Sequence, residues 1–313
     1  MRVVVTGGAG FIGGNLVYAL LGGGWEITVI DDLSTGSMDN VHPATGFRRL
    51  DVRDPRTAEA IIAASPDIVV HLAAQVSVAA SIEDPEFDRE VNVEGTRLVA
   101  EAAVAAGAQR VLFASSAAVY GEPQELPLTE DSPVAPAVPY GASKLAAESV
   151  LAEVLRPAGV DFAALRFANV YGPRQRAEGE GGVVAEFASR MTAGISPVIF
   201  GSGTQTRDFI YVADIVSAIA AAASHEGALA GPGPTGPAYN ISTGIATSVN
   251  MLAEGLRVAL RYPGTIERAD ARDGDVEASV LSPGKAASTF GWKAAVELQD
   301  GLDATGSWFA RQR

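Results

Sequence analysis

A short apolar strand, a glycine-rich turn and a helix stand together at the start of the sequence, and this combination constrains the fold most strongly. Arg2–Thr6 is continuous and rich in β-branched residues, which is typical of a buried strand. Gly7, Gly10 and Gly13 follow, and a helical pattern covers residues 15–21. Alone, the glycines fit an ordinary turn equally well. Between a strand and a helix they favour a backbone that approaches a pyrophosphate at the helix N-terminus.

An acidic pair ends the second predicted strand. Asp31 lies 18 residues after Gly13 and is placed to accept hydrogen bonds from the ribose of a bound adenosine. Two carboxylates would repel a 2′-phosphate, so Asp31 and Asp32 favour NAD over NADP. A pair that only opens the following loop is the simpler alternative, but strand, spacing and charge agree on a ribose site. The third predicted strand ends around Asp51, which could meet the adenine amino group.

Strand and helix patterns alternate over the first half of the 313 residues, with no internal repeat of 20–50 residues. This alternation predicts an α/β fold, a doubly wound parallel sheet of the Rossmann type. Predicted strands cover residues 2–6, 25–30, 50–52, 66–74, 110–116 and 161–167, and predicted helices cover 83–106 and 140–155. Predicted domains are an NAD-binding Rossmann domain over 1–168, to which the chain returns at about 208–244, and a smaller substrate-binding domain over 169–207 and 245–313.

The fourth predicted strand contains a histidine and ends in small residues. Leu72, Ala73 and Ala74 would let the backbone approach a cofactor, and close packing explains them equally well. His71 stands within an apolar strand, which favours a core histidine over a catalytic one. Asn92, in the helix that follows, fits either a satisfied core amide or a helix-kinking member of a proton relay.

Tyr140 and Lys144 are the strongest candidates for chemistry. They are four residues apart, so on a helix both side chains emerge on one face. A phenol has an ordinary pKa near ~10, and a neighbouring ammonium lowers it. Ser116, at the end of the fifth predicted strand, could share the proton of a substrate hydroxyl. Alone, however, a Tyr-x-x-x-Lys pattern is common on ordinary solvated helices.

Charge and composition exclude several other functions. The net charge of −14 and the pI near 4.7 would repel a nucleic acid, so no such partner is expected. With no cysteine and only 3 histidines, we expect no disulfide and no metal centre. No targeting segment or membrane-spanning stretch is evident, which predicts a cytoplasmic protein without a membrane partner.

The second half of the chain offers candidates for anion and base binding. Arg207 and Arg272 are possible diphosphate clamps, because guanidinium groups match phosphate oxygens, although surface salt bridges explain such arginines equally well. The apolar strand around Val198 carries Phe200, an aromatic side chain that could stack on a base.

These motifs together resemble the extended short-chain dehydrogenase/reductase family, and within it the nucleotide-sugar epimerases of the UDP-glucose (UDP-galactose) 4-epimerase type. The resemblance runs nearly end to end and rests on motifs in a fixed order. They are Thr6-Gly-Gly-Ala-Gly-Phe-Ile-Gly13, Asp31, Ser116 in FASSAAVYG, Tyr140-xxx-Lys144 and Arg272-Asp-Gly-Asp275.

The resemblance implies a role for each matching residue. The implied catalytic residues are Ser116, Tyr140, Lys144 and Asn92. The implied NAD-binding residues are Gly7, Gly10, Phe11, Ile12, Gly13, Asp31, Asp32, Asp51, Val52, Leu72, Ala73, Ala74, Tyr140, Lys144 and Phe167. The implied substrate-binding residues are Ser116, Tyr140, Asn169, Val198, Phe200, Arg207, Arg272, Asp275 and Ser279.

The implied reaction inverts C4 of a nucleotide-linked hexose through a transient 4-keto sugar. Tyr140 would take the proton of the 4-hydroxyl while hydride passes to NAD, and hydride would return to the other face after the sugar turns over. The related 4,6-dehydratases carry an Asp-Glu pair directly after the residue that matches Ser116. Here Ala117 and Ala118 stand in those positions and cannot transfer protons, which disfavours a dehydratase and equally a decarboxylase.

Departures from the family pattern leave the substrate open. Phe167 stands where the family often has Tyr, and Ser279 replaces a bulky Tyr at the gate of the sugar pocket. A small gate would also admit an N-acetylhexosamine or a uronate, and Phe200 would serve thymine as well as uracil. The resemblance further implies a homodimer formed through the helices around residues 84–106 and 140–155.

Overall fold

The computed structural model describes residues 1–123, 125–177, 182–229, 237–271 and 276–312. The strands of these residues are β1 (Arg2–Thr6), β2 (Glu26–Asp31), β3 (Gly46–Arg49), β4 (Ile68–His71), β5 (Arg110–Ser116), β6 (Asp161–Phe167), β7 (Asn169–Tyr171), β8 (Val198–Phe200), β9 (Thr206–Tyr211), β10 (Ala238–Ile241), β11 (Ala246–Ser248), β12 (Glu267–Ala269) and β13 (Ala278–Ser279).

The helices of the same residues are α1 (Phe11–Gly22), α2 (Pro55–Ala64), α3 (Val78–Glu83), α4 (Pro85–Arg89), α5 (Gly95–Ala105), α6 (Pro139–Leu155), α7 (Val183–Thr192), α8 (Val212–Ser224), α9 (Val249–Ala259), α10 (Gly284–Phe290) and α11 (Leu298–Arg311). A π-helical turn over Glu90–Glu94 joins α4 to α5, and short 3₁₀ turns cover Met38–Asn40 and Ala117–Tyr120.

Within the described residues, a parallel sheet of seven strands forms the centre of the molecule, in the order β10-β6-β5-β4-β1-β2-β3. Both of its faces are covered. Val3 and Val5 pack in one apolar cluster with residues of α1 and α8, while Val4 packs on the opposite face with residues of α2, α5 and α6. Burial on both faces explains why β1 is continuously apolar. The predicted doubly wound α/β fold is confirmed.

The chain leaves the large sheet immediately after β6. β7 pairs with β9, which also pairs with β11 and β13, and β8 pairs with β12 in a separate small sheet. A third apolar cluster, which includes Phe187, Leu252 and Leu302, packs helices α7, α9 and α11 together. Between these parts, β10 returns to the edge of the large sheet beside β6. The division into two domains at residues 168, 207 and 244 stays a prediction.

The structure refines two predicted elements. The helix predicted over residues 83–106 begins at Pro85, and its middle is the π-turn, where one extra residue is accommodated. The third strand covers Gly46–Arg49 and ends before all of the predicted residues 50–52, although the Leu50 amide still donates to the Asp31 carbonyl. No helix of the described residues is long and apolar enough to cross a membrane.

Candidate active site

A cavity of about 500 Å³ opens at the carboxyl ends of the central strands, where open parallel sheets bind their ligands. All the residues predicted to bind a cofactor line it, together with Ser116. They are Gly7, Gly10, Phe11, Ile12, Gly13, Asp31, Asp32, Asp51, Val52, Leu72, Ala73, Ala74, Tyr140, Lys144 and Phe167. The structure therefore brings together residues that are spread over 161 positions of the sequence (7 to 167).

Glycines make the phosphate end of this cavity narrow enough for backbone contact. Gly7 has a φ of +71°, which disfavours other residues, and a Cβ there would lie 2.6 Å from the Ala73 amide nitrogen. A Cβ on Gly13 would collide with the Gly7 carbonyl oxygen. Side chains at these positions would push the turn away from the start of α1. The turn thus forms a cradle at a helix N-terminus, which fits a pyrophosphate.

Asp31 is held in place by backbone amides at the end of β2. Its Oδ2 accepts from the Ala9 amide at 2.9 Å, and its Oδ1 accepts from the Leu33 amide at 2.8 Å. Burial raises the pKa of Asp31, although the two amide hydrogen bonds oppose that effect. Asp32 is turned toward the loop, where its Oδ1 accepts from the Ser34 amide at 2.9 Å. Oriented carboxylates at this place suit ribose hydroxyls and repel a 2′-phosphate.

An arginine that sequence reasoning missed stands beside the predicted adenine site. Arg53 pairs with Asp51 at 2.7 Å and with Glu90 at 3.1 Å, and its guanidinium carbon lies 4.9 Å from the centre of the Phe87 ring. The hydrogen bonds from Arg53 lower the pKa of Asp51. Arg53, Phe87 and Asp51 all line the cavity. In the sequence only the Asp-x-Arg spacing indicated a role for Arg53, because Phe87 and Glu90 reach Arg53 through tertiary packing.

Tyr140 and Lys144 emerge from the first turns of α6 into the same cavity. Pro139 begins the helix, where its missing amide hydrogen costs nothing, and the Tyr140 amide donates to Ser81 Oγ at 3.1 Å. Lys144 is only 2% exposed; its Nζ donates to the Ala114 carbonyl at 3.0 Å and lies 5.9 Å from the centre of the Tyr140 ring. Burial lowers the pKa of Lys144 to about 8. The ammonium is thus placed to act on the phenol.

Ser116 ends β5 on the other side of this pair. Its Oγ accepts from the Ala118 amide at 3.1 Å and so begins the 3₁₀ turn over Ala117–Tyr120. Phe167 is the register partner of Ser116 on β6 and also lines the cavity. The Ala118 amide therefore fixes the position of the Ser116 hydroxyl.

Asn92 does not line the cavity, although it was predicted to be catalytic. It lies buried on the π-turn, where its Nδ2 approaches the Gln75 carbonyl at 3.0 Å and Ser143 Oγ at 3.0 Å. Its Oδ1 accepts from the Gln75 amide at 2.9 Å. Both ends of the side-chain amide of Asn92 are therefore engaged by other groups of the protein, and the residue lies behind the wall of the site. Its role as a catalytic residue stays a prediction.

His71 is a core residue, as the sequence indicated. Its ring nitrogens contact Thr6 Oγ1 at 2.6 Å and Thr96 Oγ1 at 3.0 Å, and it is fully buried. The pKa of His71 is lowered to about 3, mainly because the ring is buried and to a smaller extent because of the charge of Lys144. The imidazole is therefore neutral at physiological pH and transfers no proton in the site.

A second cavity, of about 240 Å³, lies beside β7, β8 and β9. It is lined by four of the residues predicted to bind substrate, namely Asn169, Val198, Phe200 and Arg207. Val170, the neighbour of Asn169 on β7, lines the large cavity, so β7 contributes a residue to each cavity. Ser279 does not line either cavity; it is the register partner of Arg207 on β13. The predicted residues Arg272 and Asp275 lie outside the described residues.

Other polar groups of the site gave no clear signal in the sequence. Gln75, Ser77 and Gln175 line the large cavity. Buried Glu148 accepts from Arg166 at 2.7 and 2.9 Å behind β5 and β6, which a pattern of apolar strands does not reveal. Among the described residues, no group of His, Cys, Asp or Glu could hold a metal ion.

Comparison with known proteins identifies the family. Residues 3–242 match the NAD dependent epimerase/dehydratase family. This chain belongs to that family. It is 40% identical over 315 aligned positions to the UDP-glucose 4-epimerase of Mycolicibacterium smegmatis, with 99% of this chain and 98% of the relative covered. Together with the glycine cradle and the fixed carboxylates, membership makes the chain an NAD-dependent enzyme of the epimerase type, an isomerase.

Solved structures agree over the whole chain. UDP-glucose 4-epimerase of Thermotoga maritima, with UDP-glucose, is 36% identical with a TM-score of 0.93, covering 100% of this chain and 99% of that one. UDP-glucose 4-epimerase of Thermus thermophilus, in complex with NAD, is 38% identical with a TM-score of 0.90 and 99% coverage of both. Similarity also extends to a UDP-N-acetylglucosamine 4-epimerase of Methanobrevibacter ruminantium, which is 32% identical with a TM-score of 0.92, covering 100% and 99%.

Proposed function

We propose that this protein inverts C4 of a nucleotide-linked hexose, with UDP-glucose and UDP-galactose as its substrates, through a transient 4-keto sugar. One observation carries the proposal. Ser116, Tyr140 and Lys144 meet in a cavity where, among the described residues, no carboxyl group lines the wall beside them. Among the described lining residues, the carboxylates are Asp31, Asp32 and Asp51, which follow β2 and β3 at the far edge of the sheet. Oxidation and reduction at C4 need one acid-base group, whereas eliminating water also needs an acid at the leaving hydroxyl.

The residues of the large cavity fit NAD along its length. The glycine turn would hold the pyrophosphate, Asp31 the adenosine ribose, and Asp51 and Val52 the edge of the adenine. Leu72, Ala73 and Ala74 let the backbone come close, and Tyr140, Lys144 and Phe167 would surround the nicotinamide end. When bound there, NAD supplies a hydride acceptor that can return the hydride within the same turnover.

Tyr140 is the group that moves the proton. Its phenol would take the proton from the sugar 4-hydroxyl and return it after the sugar has turned over. The buried ammonium of Lys144 stabilises the phenolate by its charge. Ser116 would hydrogen-bond the same hydroxyl oxygen and keep it within reach of Tyr140 through both half-reactions.

The smaller cavity would hold the nucleotide. Arg207 and Asn169 suit the diphosphate, and Phe200 presents an aromatic face for a base next to Val198. By resemblance, Arg272 and Asp275 would complete the diphosphate and ribose contacts. Anchoring the nucleotide lets the sugar rotate without favouring one epimer, since the contacts that bind are remote from C4. Exclusion of water would protect the keto sugar during this rotation.

A second candidate substrate differs from the first in its sugar. Ser279 lines neither cavity, but it is a small residue in register with Arg207, and the resemblance implies a role for it at the gate of the sugar pocket. A small gate favours tolerance of an N-acetyl or carboxylate substituent. The similarity to a UDP-N-acetylglucosamine 4-epimerase supports the same alternative. A dTDP-linked hexose is a further possibility, because stacking on Phe200 does not distinguish thymine from uracil.

The proposal includes a homodimer in the cytoplasm. The helical residues 84–106 and 140–155 would form the contact between the copies. Sedimentation analysis of the purified protein measures the mass of the assembly, and a monomer at micromolar concentration would contradict this part.

Product analysis tests the reaction itself. Purified protein is incubated with UDP-galactose, and the products are separated by chromatography while the absorbance of NADH is followed. We expect UDP-glucose without net accumulation of NADH. A 4-keto-6-deoxy sugar would indicate a dehydratase, and NADH in proportion to product would indicate a net oxidoreductase. Either result would contradict the proposed epimerase. The same incubation with UDP-GlcNAc, UDP-GlcA and the dTDP-linked counterparts then ranks the substrates by kcat/KM.

A further inference from the structure

A buried carboxylate that the mechanism above does not use lies behind the wall of the large cavity. Asp88, in α4 directly before the π-turn, is 1% exposed and lines neither cavity. Its Oδ1 accepts from Gln75 Nε2 at 2.8 Å and from Asn92 Nδ2 at 3.1 Å. Its Oδ2 has no hydrogen-bond partner among the described residues. Burying a carboxylate that has one oxygen without a hydrogen bond lowers the stability of the fold, so the presence of Asp88 needs an explanation other than stability.

The first arm of hydrogen bonds from Asp88 reaches the cavity wall after β4. Besides Asp88, Gln75 Nε2 donates to the Ser77 carbonyl at 3.0 Å, and Gln75 Oε1 accepts from the Ser77 amide. Gln75 and Ser77 both line the cavity. A side-chain amide nitrogen can only donate, so the carboxylate supports the same orientation of the Gln75 amide as the Ser77 backbone does. Asp88 thereby helps to hold the loop that leads into α3.

The second arm reaches the turn that carries the proposed acid-base pair. Asn92 approaches Ser143 Oγ at 3.0 Å, and that hydroxyl donates to the Tyr140 carbonyl at 3.0 Å. Ser143 directly precedes Lys144 in α6. The Asn92 amide nitrogen must also face Asp88, which leaves its oxygen to accept from the Gln75 amide. One carboxylate therefore orients both walls of the catalytic end.

The charge of Asp88 also acts on Lys144. Burial lowers the pKa of Lys144, and the negative charges of Asp88 and Glu148 oppose that effect. Glu148, one helical turn further along α6, is neutralised by Arg166 at 2.7 Å. Among the described residues no salt bridge engages Asp88, so its charge is the one that is left uncompensated near this ammonium.

The other groups around Lys144 do not replace that charge. His71, on β4, is neutral, and the Ala114 carbonyl on β5 accepts one hydrogen bond from the ammonium. The rings of Phe113 and Tyr140 lie 4.9 and 5.9 Å from Nζ and offer only weak attraction to a cation.

We propose that Asp88 is a positioning residue of this site. Its carboxylate anchors Gln75 and Asn92 and complements the charge of Lys144, and through these contacts it keeps the loop wall and the Tyr140 turn in their working arrangement. The catalytic meaning of this arrangement rests on the proposed function. The electrostatic part does not, because the charge of Lys144 can be measured without turnover.

A titration of Lys144 followed by NMR tests the electrostatic part, and the small number of lysines in the chain makes it simple. The chain has only three lysines, Lys144, Lys285 and Lys293, so protein labelled at lysine ¹³Cε gives few resonances. A Lys144→Arg variant assigns the resonance of interest. We expect Asp88→Asn to lower the pKa of Lys144, because the substitution removes a negative charge while retaining the shape. An unchanged pKa of Lys144 in folded Asp88→Asn protein would overturn the electrostatic contribution.

Asp214→Asn is the matched control for this titration. Asp214 is also a buried carboxylate, 3% exposed, but it accepts from the amides of Ala295 and Val296 far from Lys144 along the chain. We expect it to leave the pKa of Lys144 unchanged. An equal decrease in both variants would show a general effect of the total charge and would contradict a specific role of Asp88.

Kinetics with the preferred nucleotide sugar test the catalytic part. Asp88→Asn should lower kcat about tenfold, because the acid-base groups lose their alignment, and should change KM less than about twofold. The alkaline limb of the kcat profile should move to lower pH together with the pKa of Lys144. A uniform decrease without a shift of that limb would reduce Asp88 to a structural role.

A second variant covers the case in which Asp88→Asn does not fold. Ser143→Ala cuts the arm toward Tyr140 and leaves the carboxylate in place. It should lower kcat without changing the pKa of Lys144, and wild-type kcat in this variant would overturn the positioning arm. If the wild-type protein epimerises no sugar nucleotide, the proposed function fails, while the titration still decides whether Asp88 supports Lys144.

Discussion

Different parts of the polypeptide line the two cavities. The large one lies at the ends of parallel strands, and its cradle is made of backbone, because Gly7 and Gly13 leave no room for a side chain there. The small one is formed mostly by the side chains of short strands, among them Asn169, Phe200 and Arg207. A backbone cradle fits one dinucleotide and tolerates little change. A site made of side chains can be altered one residue at a time, which suits a family whose substrates differ.

The largest expected effect separates chemistry from binding within the large cavity. Tyr140→Phe should lower kcat about 10³-fold, because the proton of the 4-hydroxyl loses its acceptor. The amount of NAD that copurifies should stay at the wild-type level, since the glycine turn and Asp31 are untouched. Steady-state kinetics and the absorbance of released cofactor measure both. Loss of bound NAD, or near-normal turnover, would contradict the separation.

The cradle itself is tested with a pair of glycines in α1. Gly13→Ala should abolish retention of NAD and destabilise the fold by about 3 kcal/mol, because its Cβ would collide with the Gly7 carbonyl oxygen. Gly22→Ala is the control, since nothing lies within 4 Å of a Cβ there, and its stability should be unchanged or slightly higher. Denaturant unfolding and cofactor content are the measurements. Equal behaviour of the two variants would show that the cradle is not close-packed.

A smaller effect concerns the buried histidine beneath the large cavity. His71 has a pKa of about 3 in the folded protein against 6.5 for the ordinary group, so between these values only the unfolded chain binds the proton. This contribution to stability is complete above pH 6.5 and is lost as the pH falls, by about 2 kcal/mol at pH 5. The free energy of unfolding of His71→Gln should therefore decrease less between pH 7.5 and pH 5 than that of the wild type. Parallel pH dependences would contradict a buried neutral imidazole.

The smallest expected effect tests the side-chain cavity. Arg207→Ala should raise KM for the nucleotide sugar roughly tenfold and leave kcat and bound NAD nearly unchanged, because the diphosphate loses one charged contact that is equal in ground and transition states. Arg48→Ala is a matched control. Both guanidiniums donate to the carbonyl of the preceding residue, but Arg48 lies outside both cavities. A fall in kcat with KM unchanged would remove Arg207 from the anchoring role.

The same contrast explains what could be predicted from the sequence. The bounds of β5 and β6 and the residues of the large cavity follow local rules, since strand pattern, glycine spacing and helical spacing each act over a few residues. Arg53, Gln175 and Asp88 were missed because their roles arise from contacts between distant segments. Asn92 lies on the π-turn behind the wall of the cavity, a position that only the fold reveals, and its catalytic role stays a prediction. The substrate depends on such long-range detail, and it stays the least determined part.

Isotope retention at C4 shows whether the hydrogen that leaves the sugar is the one that returns. UDP-galactose that carries deuterium at C4 is converted by the purified protein in ordinary water, and the product is examined by mass spectrometry and proton NMR. We expect UDP-glucose with the deuterium still at C4, because the same hydrogen leaves and returns inside a closed site while Tyr140 transfers only the hydroxyl proton. Product with hydrogen from the solvent at C4, or no inverted product from any of the nucleotide sugars, would contradict this expectation.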